Sequence, residues 1–161
     1  VIEEFKRDLA AAILAENGVG QDCEGIVFSS AGDVVPSAKN QPGVTVDFSG
    51  AFNPTRNGNH VQLEPEFFVI LYTSSLRGGY QTASEVNNNL LLRCNGSGTY
   101  RGLHRFLCRF NSWTDSAGTK WRVLLDPDTD RGDVKTENAK YASFATAFKL
   151  RLTTMLNPTQ Y

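Results

Sequence analysis

The sequence predicts an α+β domain: a mixed, mostly antiparallel β-sheet with an N-terminal helix and a second helix packed on it. Three observations lead there. Ile2, Phe5, Leu9, Ala12 and Ile13 fall on one face at helical spacing. Several later segments alternate apolar and polar residues with the period of two that a half-buried strand requires. Between them, Phe67-Phe68-Val69-Ile70-Leu71-Tyr72 is apolar on both faces and runs through the Gly78-Gly79 break into a second helical stretch. At 161 residues the chain is long enough for a single domain, residues 1–161, with a real core.

The elements follow in order. Residues Ile2 to Glu16 form the first helix, with Glu3, Glu4, Lys6, Arg7 and Asp8 mostly off its apolar face, and Asn17-Gly18 stops it. A short strand is expected at Gly25 to Ser29. Ala31 to Pro42 is rich in Gly, Pro, Ser and Asn and reads as a loop. Gly43 to Phe52 is a strand, with Val44, Val46 and Phe48 alternating against Thr45 and Asp47. Asn53 to Asn59 is a hairpin tip, and His60 to Ser74 is the return strand. Pro65 cannot donate a ladder hydrogen bond, so a bulge or unpaired edge is expected there.

Thr82-Ala83-Ser84-Glu85 matches a capping box and places the start of the second helix, which ends at Gly96. Asn87-Asn88-Asn89 is poor helix material, so packing must hold this helix. From Leu103 to Trp113 a strand is expected, with His104, Phe106, Cys108 and Phe110 on one face and Arg105 and Arg109 on the other. Asp115 to Gly118 turns the chain. In Lys120 to Leu125, Trp121, Val123 and Leu125 alternate with Lys120 and Arg122. The last strand, Tyr141 to Thr153, sets Phe144, Thr146, Phe148, Leu150 and Leu152 against Lys149 and Arg151. The expected core holds Phe68, Ile70, Phe106, Phe110, Trp121 and Phe148.

Composition narrows the function. Apolar residues make up 40% and charged residues 20%, which is globular rather than disordered. The formal charge of −1 argues against a dedicated nucleic-acid binder, which normally carries a basic excess. No apolar run approaches the roughly 20 residues that span a bilayer, so no membrane association is expected. The acidic Val1-Ile2-Glu3-Glu4 lacks the basic region of a secretory signal, and a cytoplasm-like compartment is expected. Cys23, Cys94 and Cys108 are an odd number at wide spacing and read as free buried thiols rather than zinc ligands.

No nucleotide loop, metal-ligand cluster or nucleophile–base pair accompanies these elements, so neither catalysis nor a cofactor is expected. Asp126, Asp128, Asp130 and Glu137 occupy positions 1, 3, 5 and 12 of a calcium loop, but Arg131 stands where the turn demands glycine and the flanks read as strands. A solvated acidic loop, Asp126 to Glu137 with Asp133 inside it, is the plainer reading. Arg131-Gly132-Asp133 and Asn95-Gly96-Ser97 spell an adhesion tripeptide and a glycosylation sequon, both without the secreted context that would give them meaning. His60 and His104 have no partners in sequence. The rival enzyme reading needs one of them in a cleft, within reach of a carboxylate or thiol.

The cations are the better lead. Arg105, Arg109, Lys120, Arg122, Lys149 and Arg151 fall on the non-aromatic faces of three expected strands. A sheet carrying them together would be cationic on that face, either as ordinary solvated charge or as an interface for an acidic partner. The chain's own Asp126, Asp128, Asp130 and Asp133 offer one. Basic sheet against acidic loop makes a heterologous contact between copies, and such contacts close into rings when the rotation permits. Nucleic-acid binding through the same face lacks a stacking platform, because the aromatics have the other parity.

The order of elements and the run Val61-Gln62-Leu63-Glu64-Pro65-Glu66-Phe67-Phe68-Val69-Ile70-Leu71 resemble the tail terminator (tail-completion) proteins of long-tailed bacteriophages, of Mu-like and lambda-like type. There a strand of pattern V-Q-L-x-P-x-F-x-V-x-L ends in a Ser-Leu-Arg-like turn, here Ser75-Leu76-Arg77, and leads into a helix before a glycine. The resemblance in residues covers about Gly43 to Gly96, and the acidic segment has no counterpart in it. It implies a structural virion protein of the tail neck, assembled in the host cytoplasm. Such a protein is commonly a homo-hexameric ring that ends tail polymerisation. The implied partners are the tail tube protein, a tail sheath, the head-side connector and, in transit through the lumen, genomic DNA. The alternatives are another neck or tail component, such as a head–tail joining protein or tube subunit, or a small nucleic-acid-binding domain.

Overall fold

The computed structural model describes residues 1–26, 28–30, 36, 41–75, 79–94, 96–134 and 142–160, without the side chains of 28–30 and 80. Most of the expected 31–42 loop, the Leu76-Arg77-Gly78 turn, Asn95, Glu137 and Tyr141 lie outside the described residues. Helix α1 spans Ile2–Ala15 and buries Phe5, Leu9 and Ile13, as its spacing requires. Strand β1 (Phe28–Ser30) runs parallel to β2 (Gly43–Phe48). A hairpin of β3 (Thr55–Asn57) and β4 (His60–Leu63) turns at Gly58 and Asn59, so the tip is tighter than the whole 53–59 segment. The chain then breaks at Glu64-Pro65 and resumes as β5 (Glu66–Ser75). The break falls at the proline, whose carbonyl accepts from the Leu152 amide at 3.0 Å.

Helix α2 covers Gly79–Leu91, the short β6 (Arg93–Cys94) and β7 (Tyr100–Arg101) pair with each other, and helix α3 covers Leu103–Arg109. Strand β8 (Ser112–Thr114) turns through Asp115–Gly118 into two long strands, β9 (Lys120–Val134) and β10 (Ala142–Leu156). Among the described residues eight strands form one sheet, antiparallel except for β1 with β2. Strand β10 is its axis, paired with β5 and then β4 along one edge and with β9 along the other. The architecture is the expected α+β, with a third helix in addition.

The helices pack on one face of the sheet. Phe5 of α1 meets Phe67 with ring centroids 4.6 Å apart and Trp113 at 5.3 Å. Strand β5 presents Phe67, Val69 and Leu71 to this core, all fully buried, while Phe68 and Ile70 sit half-buried on the other face. The expected core therefore had the parity of β5 reversed. A strand apolar on both faces carries no alternation from which to read it. Trp121 and Phe148 are buried as expected, Phe106 is too, and Phe110 is half-buried.

Four further expectations are corrected. Leu103 to Arg109 is helix rather than strand, because Leu103, Phe106, Leu107 and Phe110 at i, i+3, i+4 and i+7 satisfy the core from one helical face. Helix α2 begins at Gly79, which has φ +69°, so Thr82 lies inside the helix rather than before it, and the helix ends at Leu91 rather than Gly96. The second strand stops at Phe48, short of Phe52. The acidic segment Asp126 to Asp133 is not a loop but the distal half of β9, paired to β10 through Asp130↔Ala147 and Gly132↔Ala145. Its turn chemistry survives as a bulge: Asp126, Pro127 and Asp128 stand opposite Lys149 alone, with the Asp128 amide donating to Asp126 Oδ1 at 3.0 Å.

A polar network explains how the asparagine-rich helix persists. Asn87 is wholly buried, donating from Nδ2 to the Leu71 carbonyl at 3.2 Å and accepting the Thr146 hydroxyl at 2.6 Å. Thr73 Oγ1 donates to the Ala83 carbonyl at 2.7 Å. Arg131 of β9 completes it, donating to Thr146 Oγ1 at 3.0 Å and to Asn88 Oδ1, with its guanidinium 5.1 Å from the Phe144 ring centre. Buried polar groups with satisfied partners pin α2 to β5 and β10 where propensity alone does not.

Candidate functional site

The expected cationic sheet face forms only in part. Lys120, Arg122, Lys149 and Arg151 share the face turned away from the helices, and Arg105 and Arg109 do not. Lys149 and Arg151 do lie on the face of β10 turned away from the helices, but each is ion-paired, to Glu66 at 3.4 Å and Glu64 at 3.7 Å. Asp126, Asp128 and Asp130 line a hollow with Lys149, and Asp47 of β2 pairs with Phe68 on the same face. Carboxylates thus surround these two cations, and the face is acidic there. Lys120 and Arg122 are exposed near the start of β9, beside β8. Arg105 and Arg109 leave the sheet altogether, because the segment that carries them is α3.

On α3 those two arginines occur one helical turn apart and share a cleft of about 320 Å³. Glu16 and Gln21 line it where α1 ends, with Asp22, Arg101, Phe106 and Phe110. Phe106 and Phe110 stack with centroids 5.8 Å apart and form its apolar wall. Arg105 is held by Asp22, which is 9% exposed. Arg101 and Arg109 make no ion pair among the described residues. Three guanidinium groups against the carboxylates of Glu16 and Asp22 leave the cleft with a net positive charge. Arg101 was missed in the sequence: it lies in β7, outside α3, and only the fold brings it beside Arg105 and Arg109.

The start of α3, which carries Arg105 and Arg109, depends on a close backbone approach. Gly102, φ +127°, precedes α3 and lies against the last residue of α2; a Cβ there would lie 2.3 Å from the Leu91 carbonyl oxygen. Only glycine admits both the conformation and the contact. Next to Asp22 in the chain, Cys23 is buried, and burial first, then Asp22 and Glu16, push its thiol up to about 12, with Arg93 opposing.

The acidic residues are placed quite differently. Asp128, Asp130 and Asp133 are exposed on β9, Asp126 is half-buried, and none forms an ion pair among the described residues. Beyond Val123 no strand pairs with the outer edge of β9 among the described residues. Arg131-Gly132-Asp133 lies within this strand, with its arginine turned to the α2 network.

Cys94 and Cys108 are exposed, which corrects the expectation that all three thiols are buried. Cys108 Sγ lies 3.8 Å from the His104 ring nitrogens, one helical turn apart on the exposed side of α3. This histidine–thiol pair lies outside the residues lining the arginine cleft. His60 is exposed at the start of β4. No group of three or more histidine, cysteine, aspartate or glutamate side chains among the described residues is arranged to hold a metal ion. No helix among them is long and apolar enough to cross a membrane. The chain matches no family model, and no curated protein matches it significantly.

Proposed function

We propose that this chain is a bacteriophage tail terminator: a structural protein that closes into a ring, commonly of six copies, on the head-proximal end of the tail tube. The observation that carries this reading is where the resembling segment lies. Val61 to Leu71 runs from β4 through the proline break into β5; of the pattern's apolar positions, Phe67, Val69 and Leu71 are fully buried beneath the helices, and Val61 and Leu63 are half-buried. The resemblance thus falls on residues that build the core. The surrounding order of helix, strands, hairpin and helix supports it further.

The chemistry of such a role is geometric. A ring caps a polymer that otherwise continues, gives the head-side connector a seat, contacts tube protein and sheath, and leaves a lumen for DNA. It works in the virion without catalysis or a cofactor. The long β9, whose outer edge beyond Val123 pairs with no strand among the described residues, supports assembly, because an exposed strand edge is a template for pairing unless a neighbour or repelling charge covers it. Electron micrographs and native mass spectrometry of the purified chain test the reading. Monomers or closed single rings are expected. Long tubes growing from this chain alone make it a tube subunit and overturn the terminator reading.

A further inference from the structure

We propose that the arginine cleft of one copy is the receptor for the acidic β9 strand of the next, with Arg101 and Arg109 taking the carboxylates of Asp128 and Asp130. This rests on the ring reading for its biological setting, but the contact has its own test. The cleft holds three guanidinium groups, of which Arg105 is already committed to Asp22. That ion pair fixes Arg105 in the cleft, while Arg101 and Arg109 make none among the described residues. Arginine forks match carboxylates bidentately, so two open forks suit two carboxylates. Asp128 and Asp130 are two residues apart, about 7 Å along a strand; both are exposed, and neither forms an ion pair among the described residues, Lys149 in their hollow being paired with Glu66.

Two facts favour a protein carboxylate over a nucleic-acid phosphate. Glu16 and Asp22 line the same cleft and repel a continuous polyanion, leaving a positive charge too small for backbone tracking. The chain also carries the complementary surface itself, at the far part of β9, without an ion pair among the described residues. Cleft and strand are different patches, so the contact is heterologous and repeats head to tail from copy to copy.

The test uses two full-length variants. R101E/R109E reverses the cleft, and D128K/D130K reverses the strand. Each alone sets like charge against like and is expected to associate more than about tenfold more weakly than wild type at low salt. Mixed together, each variant's strand matches the other's cleft, so the mixture is expected to assemble with strictly alternating composition by native mass spectrometry. Circular dichroism and thermal melting of the separate variants verify folding. Wild-type-like assembly of either variant alone overturns the contact while leaving the ring reading intact. So does a wild-type chain that stays monomeric at low salt and high concentration. Tubes of wild-type chain overturn the terminator reading instead, and charge reversal then reports the contact within the tube. If R101E/R109E loses affinity for a DNA oligonucleotide while its self-association is unchanged, the cleft reads phosphate and the proposal falls.

Discussion

Trp121 Nε1 donates to Asp115 Oδ2 at 3.0 Å, tying β9 to the turn that launches it. The other carboxylate oxygen accepts the Ala117 and Thr119 amides at 3.0 and 2.8 Å. Burial alone would raise this carboxyl, but the hydrogen bonds prevail and hold it below the ordinary 3.8. The unfolded chain therefore takes up this proton at higher pH than the folded one. The stabilisation is present above 3.8 and is lost as pH falls below it toward the folded value. Asp115→Ala is expected to cost about 2–4 kcal/mol at neutral pH, with the gap to wild type narrowing in acid. Denaturant melts of both chains on either side of that pH check it.

The two neighbouring phenylalanines of β5 test the sheet parity. Phe67→Ala empties a fully buried site and is expected to cost about 3–5 kcal/mol. Phe68→Ala, on the half-buried face, is expected to cost less than half of that. Equal losses in chemical denaturation would mean that both faces of β5 are equally packed.

Gly102 is expected to tolerate no side chain. Gly102→Ala adds a Cβ against the Leu91 carbonyl at a φ of +127°, forcing α2 and α3 apart. A loss on the order of 3 kcal/mol, or failure to fold, is expected. A wild-type melting temperature would show that the junction opens freely.

The cysteines should react in two classes. Cys94 and Cys108 are exposed, whereas Cys23 is buried with its thiol pushed up to about 12. An aromatic disulfide reagent at neutral pH should titrate the two exposed thiols rapidly and Cys23 only on unfolding. Rapid reaction of all three thiols in the native chain would place Cys23 in contact with solvent.

The elements of α1, β2 and β10 were legible because each carries one clean period: Phe5, Leu9 and Ile13 on a helix, Val44 and Val46 on a strand, Phe148, Leu150 and Leu152 on another. The break at Pro65 followed from a missing amide. The α3 segment misled because His104, Phe106, Cys108 and Phe110 also alternate, and a short run supports both periods until Leu103 and Leu107 find their places beside Phe106 in the core.

Composition and local pattern were enough for fold class and the exclusion of a spanning helix, since those depend on backbone chemistry and apolar spacing near each residue. The face shown by Phe67 rather than Phe68, the strand made from Asp126 to Asp133, and the cleft that gathers Arg101, Arg105 and Arg109 with Glu16 and Asp22 were set by partners far away along the chain. Pairing with β10 outweighs the weak strand propensity of aspartate and glycine, and packing of α3 against the core turns two arginines off the sheet. Such terms act through space, and a one-dimensional period does not contain them.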